Sequence, residues 1–211
     1  MKTDIQFELM DNTSEKAVRD LTALLNLCYK NRFQSGVYYL PDGQDEETTR
    51  RRISGKEVWF AKRDQTLIGT FTLATSENAS GTWWYRQPGV SEICQIAVHP
   101  AFQRQGYFSI LMDFAEKRAL ELGSLELAGS VPAKRKWLIR AYLKRGTRIV
   151  DYKWKNNASY GSVIFSKSLG KSSLKSGFFR RSKRKLKYFR RFLCYKFSKN
   201  TESIRCTKYI P

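Results

Sequence analysis

Apolar positions recur along this chain with two periods, and the switches between them mark out its elements. Ile5 to Met10 alternates and predicts a first strand. From Lys16 to Tyr29 the apolar residues Ala17, Val18, Leu21, Leu24, Leu25 and Cys28 fall at helical spacing, with Thr13 or Ser14 placed to cap the helix. Asn31 to Asp42 is aromatic, contains Gly36 and Pro41, and reads as a loop. Gln44 to Ile53 begins acidic and ends in Arg50, Arg51 and Arg52, an order that complements a helix dipole. Glu57 to Arg63 and Thr66 to Thr75 predict a hairpin with its turn at Arg63-Asp64-Gln65. Ser76 to Gly89 is loop-like but holds Trp83, Trp84 and Tyr85, which either pack over the core edge or line a pocket.

Val90 to Leu122 is the stretch that organises the rest. Val90 to Val98 reads as a half- to fully buried strand, and Pro100 ends it because proline has no backbone N–H for a ladder. After Gly106 the residues Phe108, Leu111, Met112, Ala115, Ala119 and Leu122 take helical spacing. The loop Gln103-Arg104-Gln105-Gly106 sits where that helix starts. A helix N-terminus has unsatisfied donors and partial positive charge, and a glycine there lets a ligand approach the backbone. A diphosphate-sized anion fits such a site; an ordinary βα turn fits the same pattern. Ser124 to Ser130 predicts a fifth strand. Ala133 to Arg145 predicts a basic helix with Trp137, Leu138, Ala141 and Tyr142 on one stripe and Gly146 after its end. Thr147 to Trp154 and Gly161 to Leu169 predict two closing strands. The element order is β-α-α-β-β-β-α-β-α-β-β.

Composition narrows the classes. The chain has 211 residues and 41% hydrophobic residues, suited to a globular domain with one sizeable core. It has no run of about 18 apolar residues, so no transmembrane helix is expected. The start MKTDIQFELMD is too acidic for a secretory signal. The four cysteines, Cys28, Cys94, Cys194 and Cys206, have no metal-binding spacing and read as reduced thiols, so a cytoplasmic location is expected. Neither a P-loop nor a metal or Ser/His/Asp constellation is present. The lone histidine, His99, beside Pro100, belongs to a turn rather than to catalysis.

The net charge of +20 is unevenly placed. Residues 1–170 hold 25 Lys+Arg against 18 Asp+Glu, a net of +7; residues 171–211 hold 14 against one, a net of +13. Residues 1–169 therefore form the expected domain and 170–211 a basic tail. Within the tail, residues 178–197 interleave aromatic and basic residues. They fit an amphipathic helix against an anionic membrane or nucleic acid, or a disordered solubilising tail.

The string Gln103-Arg104-Gln105-Gly106-Tyr107-Phe108, following a strand that closes near Val98-His99-Pro100, resembles motif A of the GNAT N-acetyltransferase superfamily, Arg/Gln-x-x-Gly-x-Gly/Ala. Phe108 stands where that family has Gly or Ala. Tyr142 and Gly146 resemble its Tyr-x-x-x-Gly near the end of the fourth helix. Arg135 and Leu138 depart from the Asn and Ala common before that tyrosine.

The resemblance spans about residues 4 to 169 and implies an α/β (α+β) fold. Its central sheet would be mixed and mainly antiparallel, with helices on both faces and with the fourth and fifth strands splayed. It implies acetyl-CoA as acyl donor, with no metal. Its pantetheine arm would lie along Ile96, Ala97 and Val98, and the N–H of Ile96 would polarise the thioester. The diphosphate would fall to backbone amides from Arg104, Gln105, Gly106, Tyr107, Phe108 and Ser109, beside Gln103.

Glu92 stands where the histone-acetylating branch has its general base, and Tyr142 where the thiolate is protonated. From the residues alone, Glu92 is equally an exposed strand-end carboxylate and Tyr142 a core-edge tyrosine. In a regular strand Gln95, three residues from Glu92, would face the other way. The acceptor would be an amine on a small molecule, a peptide or a tRNA-borne group. It would be bound among Asn31 to Asp42, Thr82 to Gln87 and Tyr152 to Tyr160. A non-catalytic GNAT-like binding module, tethered by the tail, is the competing expectation.

Overall fold

A computed structural model describes residues 5–29, 43–79, 81–154 and 161–170. The loop expected at 31–42 and the stretch 178–197 lie outside the described residues.

The elements come in the expected order: β1 (Gln6–Leu9), α1 (Glu15–Tyr29), α2 (Glu46–Ile53), β2 (Glu57–Arg63), β3 (Thr66–Ala74), β4 (Val90–Val98), α3 (Tyr107–Glu121), β5 (Glu126–Pro132), α4 (Lys136–Lys144), β6 (Arg148–Trp154) and β7 (Gly161–Ser168). Local chemistry sets the ends. Ser14 caps α1, its Oγ accepting from the Ala17 N–H at 3.3 Å. Asp45 caps α2, its carboxylate accepting from the Thr48 N–H at 2.7 Å, so α2 starts two residues later than the charge pattern implied. The β2–β3 turn places both Asp64 and Gln65 in the left-handed region, the geometry a two-residue hairpin needs to match strand twist.

The seven strands form one sheet in the order β1-β2-β3-β4-β5-β7-β6. Every neighbouring pair is antiparallel except β4–β5. On one face, α3 and α4 bury Leu111, Met112, Ala115 and Tyr142 against Phe71, Leu73, Ile93, Leu127 and Phe165. On the other, Val18, Leu21 and Leu25 of α1 and Ile53 of α2 pack on Val58, Phe60 and Ala97. Farther along that second face, Trp84 and Tyr85 close a third apolar cluster with Val90, Ala128 and Ile164. These two aromatics sit in a short 3-10 turn, Trp83–Arg86; both pack, and Tyr85 also borders the cavity described below.

Two irregularities in the middle of the sheet position the site. First, β4 and β5 pair only from Val90–Glu126 to Ile93–Gly129, although β4 runs on to Val98 and β5 to Pro132. The two strands part beyond that point. Second, β4 is bulged. Thr72 opposes Cys94 while Thr70 opposes Ala97, so β4 spends one residue more than β3 over this interval. Gln95 takes φ +50° there. In consequence Ile93 and Ile96, three residues apart, both turn toward α3 and α4, a relation that a regular strand forbids.

Candidate functional site

The parted strands open into a cavity of about 1280 Å³. The loop before α3, the end of β4, the start of α4 and the Thr82–Tyr85 turn all reach it.

The loop is shaped by backbone geometry. Arg104 and Gly106 have φ of +62° and +87°, with Gln105 between them outside that region. Alternation of this kind gathers successive N–H groups into an anion-binding concavity. Among the described residues, the amides of Arg104, Gln105, Gly106 and Phe108 donate to no backbone carbonyl, whereas those of Ser109 and Ile110 are spent on the Gly106 carbonyl at 2.9 and 3.4 Å. Ser109 thus closes the first helical turn and leaves the set of open donors expected of it. Nothing lies within 4 Å of where a Gly106 Cβ would stand, so this residue is demanded by its φ and leaves open space in front of the backbone. Gln103 braces the loop: its Nε2 donates to the Val98 carbonyl at 3.0 Å. His99 serves the turn, its Nδ1 accepting from the Ala101 N–H at 3.3 Å.

Along β4, Ile96 and Val98 line the cavity, but Ala97 turns into the α1 side of the core at 4% exposure. Glu92 is no exposed strand-end group: it is 8% exposed and lines the cavity. Gln95 joins it on that wall because the bulge brings its Oε1 to accept from the Thr72 hydroxyl at 3.1 Å, and Thr72 opposes Cys94 rather than Gln95. The expectation from a regular strand, with Gln95 turned away, is therefore corrected by the bulge.

Tyr142 is buried, lines the same cavity and stands in an aromatic stack. Its ring lies 4.0 Å from Phe165, nearly parallel at 24°. Phe108 meets the other side edge-on, at 5.3 Å and 87°. The large side chain at the small-residue position of the loop is thus accommodated by packing on Tyr142. Arg135 and Leu138 also line the cavity. Trp137, expected on the buried stripe of α4, is 62% exposed at the rim, because α4 starts only at Lys136 and Trp137 lies in its first turn.

Other residues on the wall were not singled out in the sequence. Arg51 and Arg52, read in the sequence only as the basic end of a helix, reach the cavity, as do Lys56 and Lys153. Arg50 pairs with Glu15 and Glu46, and Arg51 is exposed at the rim. A helical-wheel reading could have separated Arg50 from its neighbours, but nothing local shows which face meets a cavity. No group of three or more metal-ligating side chains occurs among the described residues, and none of the described helices is long and apolar enough to cross a membrane.

A family model described as "Acetyltransferase (GNAT) family" matches residues 18–147, more than half of the chain. No curated protein matches the sequence. Among solved structures, a GNAT family acetyltransferase from Elizabethkingia anophelis with acetyl-CoA bound aligns at 18% identity and TM-score 0.56, covering 79% of this chain and 99% of the other. The ribosomal-protein-S18-alanine N-acetyltransferase from Escherichia coli aligns at 11% identity and TM-score 0.58, covering 82% and 98%. An IAA acetyltransferase from Bacillus cereus aligns at 17% identity and TM-score 0.55, covering 78% and 99%. At these identities the structural likeness concerns the fold.

Proposed function

The chain belongs to the acetyltransferase (GNAT) family, and from that membership we propose that it moves an acetyl group from acetyl-CoA to a primary amine by direct transfer, with Glu92 as base and Tyr142 as general acid. The observation that carries this reading is a convergence: Glu92, Tyr142 and the loop with open amides all border one cavity where β4 and β5 part.

Acetyl-CoA supplies an activated acyl group, and the chain's residues do the rest. The open amides of Arg104, Gln105, Gly106 and Phe108, with the Arg104 charge, hold the diphosphate. The edge of β4 at Ile96 and Val98 takes the pantetheine arm, and the Ile96 N–H polarises the thioester carbonyl as negative charge builds on its oxygen. An amine with pKa near 10 arrives protonated at neutral pH, so a proton must leave before the nitrogen can attack. Glu92, buried on the wall, accepts it. The nitrogen–carbonyl bond forms, the carbon–sulfur bond breaks, and the Tyr142 hydroxyl gives its proton to the departing thiolate. The Phe108–Tyr142–Phe165 stack restricts the tyrosine ring, so the hydroxyl is held in place rather than searching for the sulfur.

Calorimetric titration of acetyl-CoA into the full chain tests the donor site. Micromolar affinity, weakened at least tenfold by Gly106→Asp, is expected; no binding up to millimolar concentration would leave the non-catalytic reading. In turnover assays, Tyr142→Phe should lower kcat by roughly 10²-fold while the acetyl-CoA Kd moves less than threefold. Unchanged turnover would remove Tyr142 from the mechanism.

A further inference from the structure

Buried polar atoms in folded proteins are almost always hydrogen-bonded, so an exception calls for a partner that is not protein. Gln95 is such an exception. It is 7% exposed, it lines the cavity, and its Oε1 is fixed by the Thr72 hydroxyl at 3.1 Å. Its Nε2 is buried with no hydrogen-bond partner among the described residues. Fixing the oxygen fixes the amide plane, and the leftover group is a pure donor. It needs an acceptor atom, an oxygen above all, from whatever occupies the cavity.

The charges on the wall of the same cavity say what kind of oxygen. Arg52, Lys56 and Lys153 line the same cavity. Arg52 is held by a neutral group, the Gln44 Oε1, at 2.6 Å, and Lys153 by the Gly81 carbonyl at 2.9 Å. No carboxylate among the described residues is within ion-pair distance of any of the three. Arginines packed against the sheet are paired by contrast: Arg118 with Glu57, Arg145 with Glu116 and Arg148 with Glu126. Among the described residues, the cavity therefore keeps three cations that no carboxylate pairs with, Arg52, Lys56 and Lys153, beside one orphaned amide donor and one buried acid, Glu92.

We infer that the acetyl acceptor is a small amine that also carries an anionic oxygen group, a carboxylate or a phosphate. Gln95 Nε2 and the Arg52, Lys56 and Lys153 charges receive that group, while Glu92 receives the ammonium. This rests on the transferase reading for the name "acceptor" and on the cavity itself for the anion. The orphan amide sets specificity by removing its own desolvation penalty only when an oxygen arrives. Arg52, braced by Gln44, presents a planar donor fork to the same oxygens. An amine without the anion leaves both unanswered.

The test uses the full chain and two matched pairs: phenylalanine against phenethylamine, and phosphoethanolamine against ethanolamine. Each amine is titrated calorimetrically with and without saturating CoA, and acetyl-CoA is titrated separately. The anionic member of at least one pair should bind about tenfold or more tightly than its neutral partner, and raising salt should erode the difference. The pair that discriminates says whether the oxygen group is a carboxylate or a phosphate. Gln95→Met, close in shape, should cut the discrimination about three- to tenfold with no change in acetyl-CoA affinity. Arg52→Gln should do the same and guards against a misfolded Gln95 variant. Equal binding within both pairs, or no binding of any of the four amines, overturns the inference. Acetyl-CoA binding without discrimination sinks the anion site and leaves the transferase reading standing. Discrimination without acetyl-CoA binding does the reverse.

Discussion

A methyl group added at Gly129 would sit 2.7 Å from Phe165 Cζ and 2.8 Å from the Ile93 carbonyl oxygen. Gly129 opposes Ile93 at the last paired position before β4 and β5 part. The backbone oxygen cannot step aside cheaply, so Gly129→Ala should destabilise the protein by about 1–3 kcal/mol, read from urea unfolding. Phe165 also stacks on Tyr142. The same substitution should therefore lower kcat more than it raises the KM for acetyl-CoA; a purely thermodynamic loss with kcat intact would show that the stack does not hold the tyrosine. Little of this was readable residue by residue. Gly106 stands out in the sequence by its place before a helix, and Glu92 and Tyr142 only through the resemblance to the GNAT motifs. The turn of Gln95 does not, because a bulge depends on how β3 and β4 count against each other, and Cys94-Gln95-Ile96 carries no local mark of it. Arg51 and Arg52 look like any basic helix end until the cavity beneath them is known.

At the scale of elements, α3 is tied to the sheet by an ion pair rather than by packing alone. Arg118 donates through Nε and Nη2 to both oxygens of Glu57 on β2, at 2.9 and 2.7 Å, and Trp59 Nε1 donates to the same carboxylate at 3.0 Å. Hydrogen bonding from Arg118, and then from Trp59, holds the Glu57 carboxyl below the usual glutamate range against the opposing effect of burial. A carboxyl depressed in the fold favours the native state above its unfolded value and loses that contribution as pH falls through the folded value. Thermal stability should therefore drop in acid, below about pH 4.5, and Glu57→Gln should flatten that drop while lowering stability at neutral pH. Parallel melting curves across pH 7 to 3 for the two proteins would mean that the pair contributes nothing. Element order was the most legible level of all. The seven strands and the helices α1, α3 and α4 were foreseeable from their apolar periods, because each must bury one face, and α2 from the order of its charges. Where elements touch was not: Glu57 and Arg118 lie on different elements and nothing local links them.

At the scale of the whole molecule, the chain runs through its sheet in an unusual bookkeeping order: β1 to β4 stand on one side of the parallel seam and β5, β7 and β6 on the other. Among the described residues, no strand after Leu122 joins the first side. The charge divides with the strands: residues 1–122 hold 15 Lys+Arg against 16 Asp+Glu, a net of −1, and residues 123–170 hold 10 against 2, a net of +8, and the contact between them is specific: Glu116 of α3 accepts from Arg145 at 3.0 Å and from Lys167 at 2.6 Å. The strand pairing between the sides is four residues long. A protein so arranged is divisible. Cut at Gly123, in an exposed turn, it yields two fragments, each with a contiguous set of strands and at least one helix of its own, and an interface that already has a register, an apolar patch and a charge code. Residues 1–122 and 123–211 made as separate chains in one cell should copurify, and Glu116→Gln should weaken their association. Failure to copurify would mean that the two pieces do not merely dock but complete one another's folding, and that the seam exists only because the covalent link brings its edges together.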